Sequence, residues 1–317
     1  EGRQRFTFLT GISKFSKVSI FSDLNNLNDM TMERSCATLF GYTPEEVVKN
    51  LPGLLHRFAE ANGLTDAQGL AEIKRWYDGY LFHPKAEQVI NPVSLGCCLK
   101  STELRNYWST TAMTTFLMDE LKRRPLNFAK VDVDESVLGT YEPDKADFTT
   151  LLFQTGYLTI RGFQQRGAAR RYRLDFPNLE VENSFLRQVV PAYTGQEENR
   201  ANDIQADAVN ALYDGEPEKF VAALKRLFAN IPYDLTDRQN EQMWQAIVYV
   251  ILKMIGVAAE AEVKTNEGRI DMTLETPEHG YVVEFKLGTS AAAAIAQIKA
   301  NHYADRFAGN GKTLTLV

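Results

Sequence analysis

The chain has 317 residues, enough for about two domains at roughly 100–200 residues each. Its 44% hydrophobic and 24% charged content excludes disordered and fibrous classes. The 35 Lys and Arg against 41 Asp and Glu leave a net charge of −6, which excludes a wholly basic nucleic-acid binder but not a local basic site. Cys36, Cys97 and Cys98 have neither disulfide nor metal-ligand spacing and are read as reduced thiols of a cytoplasmic protein. No run of eighteen apolar residues occurs, so no membrane-spanning helix is expected. The chain opens without an initiator Met or secretory leader and closes within Leu314-Thr315-Leu316-Val317. It is therefore expected to be a fragment cut through folded elements.

Residues 6–12 are apolar and short, and predict a buried strand ending at Thr10-Gly11; the polar stretch 22–29 predicts a loop. The pattern then turns helical. Thr43-Pro44-Glu45-Glu46 is a helix start, with Thr as N-cap, Pro at the first helical position and acids in the first turn. Further helices are predicted over 67–77, closed by Asp78-Gly79, from Asn91-Pro92 onward, over 114–124 and over 147–154. Residues 156–160 and 171–174 predict two strands of a hairpin, with 161–170 as its polar turn. Pro177-Asn178 introduces an amphipathic helix over 180–193. A helix with such a hairpin fits the wing of a winged helix. Residues 195–199 are expected to be a linker and 201–230 helical.

The last segment differs. A long apolar helix over 241–255, strands over 258–263, 269–275 and 281–287, a helix over 291–307 capped by Thr289 or Ser290, and a strand from 313 together predict an α/β layer around one sheet. Within it, Gly268-Arg269-Ile270-Asp271 is followed by Glu284-Phe285-Lys286. Residues i and i+2 of a strand share a face, so Glu284 and Lys286 are expected to project together. A hairpin through 276–280 brings Asp271 beside them. Two carboxylates and an ammonium suit phosphodiester hydrolysis: Mg²⁺ takes hard oxygen ligands, typically one or two carboxylates, and a lysine beside it can orient water or stabilise the transition state. Glu241 and Gln297 could complete the pocket, and Glu262 is a further acid near a strand end. A structural ion pair or a degenerate site stays open as the alternative.

Asp271, Glu284 and Lys286, with Glu241 on the preceding helix and Gln297 on the following one, resemble the motif of the PD-(D/E)XK nuclease superfamily. The resemblance implies a restriction-endonuclease-like α/β domain, catalysis by Glu241, Asp271, Glu284, Lys286 and Gln297, Mg²⁺ or Mn²⁺ held by Asp271 and Glu284, and nucleic acid, DNA favoured, as partner.

Upstream, Leu9-Thr10-Gly11-Ile12, Gly41-Tyr42-Thr43-Pro44, Trp76-Tyr77-Asp78-Gly79-Tyr80, Asn91-Pro92-Val93-Ser94, Tyr107-Trp108, Gln154-Thr155-Gly156-Tyr157 and Phe176-Pro177-Asn178-Leu179-Glu180 resemble the AAA-ATPase-like family, in which a P-loop ATPase precedes such a nuclease domain. The G-x-x-x-x-G-K-[ST] loop has no match, and Gly311-Lys312-Thr313 precedes a strand rather than a helix. The resemblance implies three parts. Residues 1–125 would be the end of the ATPase, its last core strand carrying Thr10 as a nucleotide sensor, plus its helical lid. Residues 126–236 would be the winged-helix-like hairpin and helical region, and 237–317 a nuclease-like domain truncated at its end. ATP would act only in the intact protein, and this chain is expected not to hydrolyse it. Arg161, Arg166, Arg170, Arg171 and Arg173 make the hairpin a candidate nucleic-acid contact, against the alternative of a solvated basic surface. No membrane partner is expected, and a homo-oligomer is an open possibility, as is an inactive nuclease fold that only binds. The histidines, including His302 on the last helix, show no metal-ligand spacing, and the Trp-Tyr pairs are expected to be core.

Overall fold

The computed structural model describes residues 6–11, 28–108, 117, 131–138, 148–194, 198–229, 248–249, 252, 258–265, 268–284, 291–301 and 311–317. The chain divides into two compact units, residues 1–111 with 130–182 and residues 112–129 with 183–317.

The first unit contains the helices α1 (Pro44–Asn50), α2 (Pro52–Ala61), α3 (Asp66–Tyr77) and α4 (Pro92–Ser101), of which α1, α3 and α4 are started by capping side chains. Thr43 accepts from the Glu46 amide while the Glu46 carboxylate accepts from the Thr43 amide, and Thr65 and Gln68 repeat the arrangement on α3. Asn91 accepts from the amides of Val93 and Ser94 to start α4. Helix α2 is an addition to the expected elements; Pro52 at its first position was its local signal. Val47, Phe58, Ile73, Tyr77 and Leu95 form the core of these helices, with Trp76 and Tyr107 packed on it, so these aromatics are core as expected.

The strand expected over 6–12 is not formed: residues 6–11 carry no strand, and Phe6, Phe8, Leu9 and Thr10 are exposed. Apolar composition alone does not make a strand, whose backbone groups need a neighbouring strand to pair with. The hairpin is present but larger than expected. Strand β2 (Thr159–Arg166) and β3 (Ala169–Asp175) run through the polar residues assigned to the turn, leaving only Gly167 (φ 61°) and Ala168 between them. Gly167 supplies the positive φ that such a tight turn needs. A further strand, β1 (Val131–Asp134), completes an antiparallel sheet of order β1-β3-β2. Helix α5 (Phe148–Gln154) forms as expected.

Helix α6 (Leu179–Thr194) starts where Asn178 accepts from the Val181 amide at 3.0 Å. In its first turn the Glu180 side chain is fully buried. It accepts from Ser94 Oγ at 2.7 Å and from the amides of Tyr107 and Trp108 at 2.6 and 2.9 Å. Burial pushes its carboxyl above the ordinary 4.5, and burial does the same to Asp78, which accepts from the Gly79 amide. Gly79 has φ 117°, and a Cβ there would lie 2.0 Å from the Pro177 carbonyl oxygen.

In the second unit α7 (Glu198–Tyr213) and α8 (Pro217–Phe228) precede a four-stranded sheet of order β4-β5-β6-β7. The strands are β4 (Ala258–Thr265), β5 (Gly268–Glu275), β6 (His279–Val283) and β7 (Thr313–Leu316), with α9 (Ala291–Ala300) between the last two. Strands β4, β5 and β6 pair antiparallel and β7 runs parallel to β6. Ile298 of α9 packs with Val282, Leu314 and Leu316 over this sheet. The expected order of three strands, a helix and a strand is thus observed. The helices expected over 114–124 and 241–255 lie largely outside the described residues; Val248 and Leu252 of the latter are helical and buried.

Gly79→Ala should cost at least about 2 kcal/mol, because it adds both backbone strain and a clash with a carbonyl. Gly96→Ala, in mid-α4 where a Cβ meets nothing, should gain about 1 kcal/mol; thermal melts check both. For Glu180, the folded-state pKa lies above the unfolded one. Its contribution is therefore full below 4.5 and is lost as pH rises through the raised value. Urea titrations at several pH values should show a flatter pH dependence for Glu180→Gln. Glu180→Ala should lose on the order of 3 kcal/mol, since it strands two amides and a hydroxyl.

Candidate active site

Strands β5 and β6 are the two inner strands of the second sheet, and their register pairs Met272 with Val283. Asp271 precedes Met272 in β5 and Glu284 follows Val283 at the end of β6, so both lie next to the last pair of this ladder. Both residues are only 7% exposed. The Glu284 backbone remains tied to the sheet, since its amide donates to the Val317 carbonyl at 3.0 Å while the Val317 amide donates to Val282 at 2.9 Å. The hairpin between the strands is closed by Thr276, whose amide donates to the His279 carbonyl at 2.9 Å and whose hydroxyl accepts from the His279 amide at 3.0 Å.

Of the expected site residues, Asp271 and Glu284 thus lie buried on β5 and at the end of β6. Glu241 and Lys286 lie outside the described residues, as do His302 and Tyr303. Gln297 lies on α9, the helix following β6, and Glu262 lies in β4, on the outer side of β5. Among the described residues no group of three or more His, Cys, Asp or Glu is placed to hold a metal ion. Carboxylates are oxygen donors of the kind that a hard divalent cation takes. Lys312, of the Gly-Lys-Thr stretch, is 2.7 Å from Glu275 at the far end of β5, a strand-to-strand tie with no phosphate-loop geometry.

The basic hairpin is built differently from its linear sequence. Arg173 stands across from Asp132 and Arg171 from Asp134 in the β1-β3 register. Arg171 also donates to the Asp132 carbonyl at 3.1 Å, and Arg170 pairs with Glu135 at 2.8 Å. Arg161 turns inward and donates to the carbonyls of Phe176 (2.9 Å) and Pro177. Arg166 is exposed beside Gly167 at the turn. The acidic strand β1, alternating Val and Asp, is the feature missed in the sequence; its period of two was the available signal.

The upstream motifs meet at the Glu180 junction of the first unit. Ser94 and the Tyr107-Trp108 amides bond Glu180. Trp108 stacks edge-on against Tyr157 with ring centres 4.6 Å apart, and the Leu81 amide donates to Thr159 Oγ1 at 2.8 Å. Their role here is to satisfy buried polar groups.

The family model of the PD-(D/E)XK nuclease superfamily matches residues 239–317. A protein of Azotobacter chroococcum mcd 1, described as an uncharacterized protein in the vnfD 5'region, is 34% identical over 331 aligned positions. The match covers 99% of this chain and 60% of that protein, so the chain spans about 60% of its relative's length. No solved structure matches. The chain thus carries a PD-(D/E)XK nuclease superfamily domain over residues 239–317.

Proposed function

We propose that this domain hydrolyses phosphodiester bonds of nucleic acid, DNA favoured, with Mg²⁺ or Mn²⁺ held by Asp271 and Glu284. The observation that carries the reading is the burial of two acidic residues, Asp271 in β5 and Glu284 at the end of the neighbouring β6, within the matched segment. A bound divalent ion supplies an acidified water and offsets charge on the phosphate. Asp271 and Glu284 hold oxygen ligands in a fixed geometry. Lys286, two residues beyond Glu284 in sequence, is assigned to orient the attacking water and the scissile phosphate, with Glu241 and Gln297 supporting the site. The exposed end of the hairpin, Arg166 with Arg170 and Arg171, is proposed as a second phosphate contact.

The same proposal takes residues 1–125 as the lid end of a P-loop ATPase with Thr10 as its sensor, and 126–236 as a winged-helix-like region. Support for both is the order of resembling motifs along the chain. ATP should then change the cleavage rate of the intact protein, and an unchanged rate would count against the coupling.

The purified chain with Mg²⁺ or Mn²⁺ should cut single-stranded DNA, duplex DNA or RNA. Asp271→Asn, Glu284→Gln and Lys286→Ala should each slow cutting at least about 100-fold. Arg166→Glu with Arg170→Glu should raise KM several-fold and leave kcat unchanged. A wild-type protein that leaves every substrate intact with either metal is instead a binding module on a nuclease fold.

A further inference from the structure

The carbonyls of the last turn of a helix have no partner within it. At the end of α7, the Glu216 amide returns to Ala211 at 2.8 Å and Gly215 takes φ 72°, a glycine-based C-cap. One of these terminal carbonyls, that of Leu212, accepts a hydrogen bond from the Tyr281 hydroxyl at 2.6 Å. The next anchor lies two residues earlier on the same strand. The His279 ring covers Gly215 so closely that a Cβ there would lie 2.6 Å from a ring carbon. Strand β6 is thereby held at two alternate residues on the cap of α7. Tyr281 is fully buried, and three residues on comes Glu284. Odd and even positions of a strand face opposite ways, so the anchor grips β6 from the face opposite to that of Glu284.

We propose that Tyr281 is a positioning residue for the carboxylate site: its bond to the α7 cap sets where β6 delivers Glu284. The proposal rests on the nuclease reading above. It also means that the supporting structure of the site reaches upstream of the matched segment, into α7 and the α7–α8 turn. The strand has its sheet neighbours β5 and β7 in any case, so loss of the anchor is a loss of placement rather than of pairing. A displacement of about 1 Å at a ligand is enough to weaken a metal site and to slow the chemistry carried out there.

The test compares wild type with Tyr281→Phe in the full chain, by Mn²⁺ titration calorimetry, by DNA-cleavage kinetics and by thermal melting. The proposal predicts a folded variant with at least fivefold weaker Mn²⁺ binding, a kcat about tenfold lower and an unchanged KM for DNA. A second variant, His279→Ala, keeps the hydroxyl bond and removes the ring from the cap; its Mn²⁺ affinity should fall two- to threefold. Variants that melt earlier but keep wild-type Mn²⁺ affinity and kcat overturn the positioning role and leave the nuclease reading standing. A wild type that neither binds Mn²⁺ nor cuts overturns the nuclease reading, and the positioning role with it.

Discussion

Two buried acidic residues, Asp271 in β5 and Glu284 at the end of β6, are the constraint on which the functional account depends. Burying a carboxylate is unfavourable unless a hydrogen-bond or charge partner accompanies it. In this chain the sequence offers Lys286 two residues beyond Glu284, and the chemistry offers a divalent ion. The β5-β6 pairing does the geometric part. With Met272 across from Val283, Asp271 and Glu284 come at the same end of the two strands, and a slip in register would separate them. The remaining features of the second unit secure that register: the Thr276 turn at one end, Val317 bridging Val282 and Glu284 at the other, and Lys312 reaching Glu275.

The first unit solves a different problem with a third carboxylate. Glu180 is as buried as any core residue, and its acceptors are filled by a hydroxyl and two amides. That junction joins the helical core to the stretch leading into α6. Gly79 and Arg161 close the same region, one by giving up a side chain against the Pro177 carbonyl and the other by donating to it. Residues that look functional by type, such as an Asp-Gly turn, a buried Glu and paired aromatics, are used here to satisfy the backbone.

Local signals in the sequence were legible where the physics is local. Thr43-Pro44 and Asn91-Pro92 begin helices because their side chains and fixed φ act within one turn. The strands of the second sheet were legible because apolar runs bounded by turns need little context. What was not legible depends on a distant partner. Residues 6–11 have a strand's composition and no strand. The segment 161–170 looked like a turn because of its charges. In the fold, the arginines that follow stand across from the acids of β1, so the charges belong to a ladder. Asp271 and Glu284 stand out in the sequence by their spacing, whereas the anchoring of Tyr281 to Leu212 joins residues 69 apart and leaves no sequence signal.

The most direct test of the carboxylate site is a crystal structure of the chain grown with Mn²⁺, using the metal's anomalous scattering to locate it. The account predicts one strong peak at about 2.0–2.3 Å from carboxylate oxygens of both Asp271 and Glu284. A lysine ammonium occupying the space between the two carboxylates, with no peak there, would contradict it.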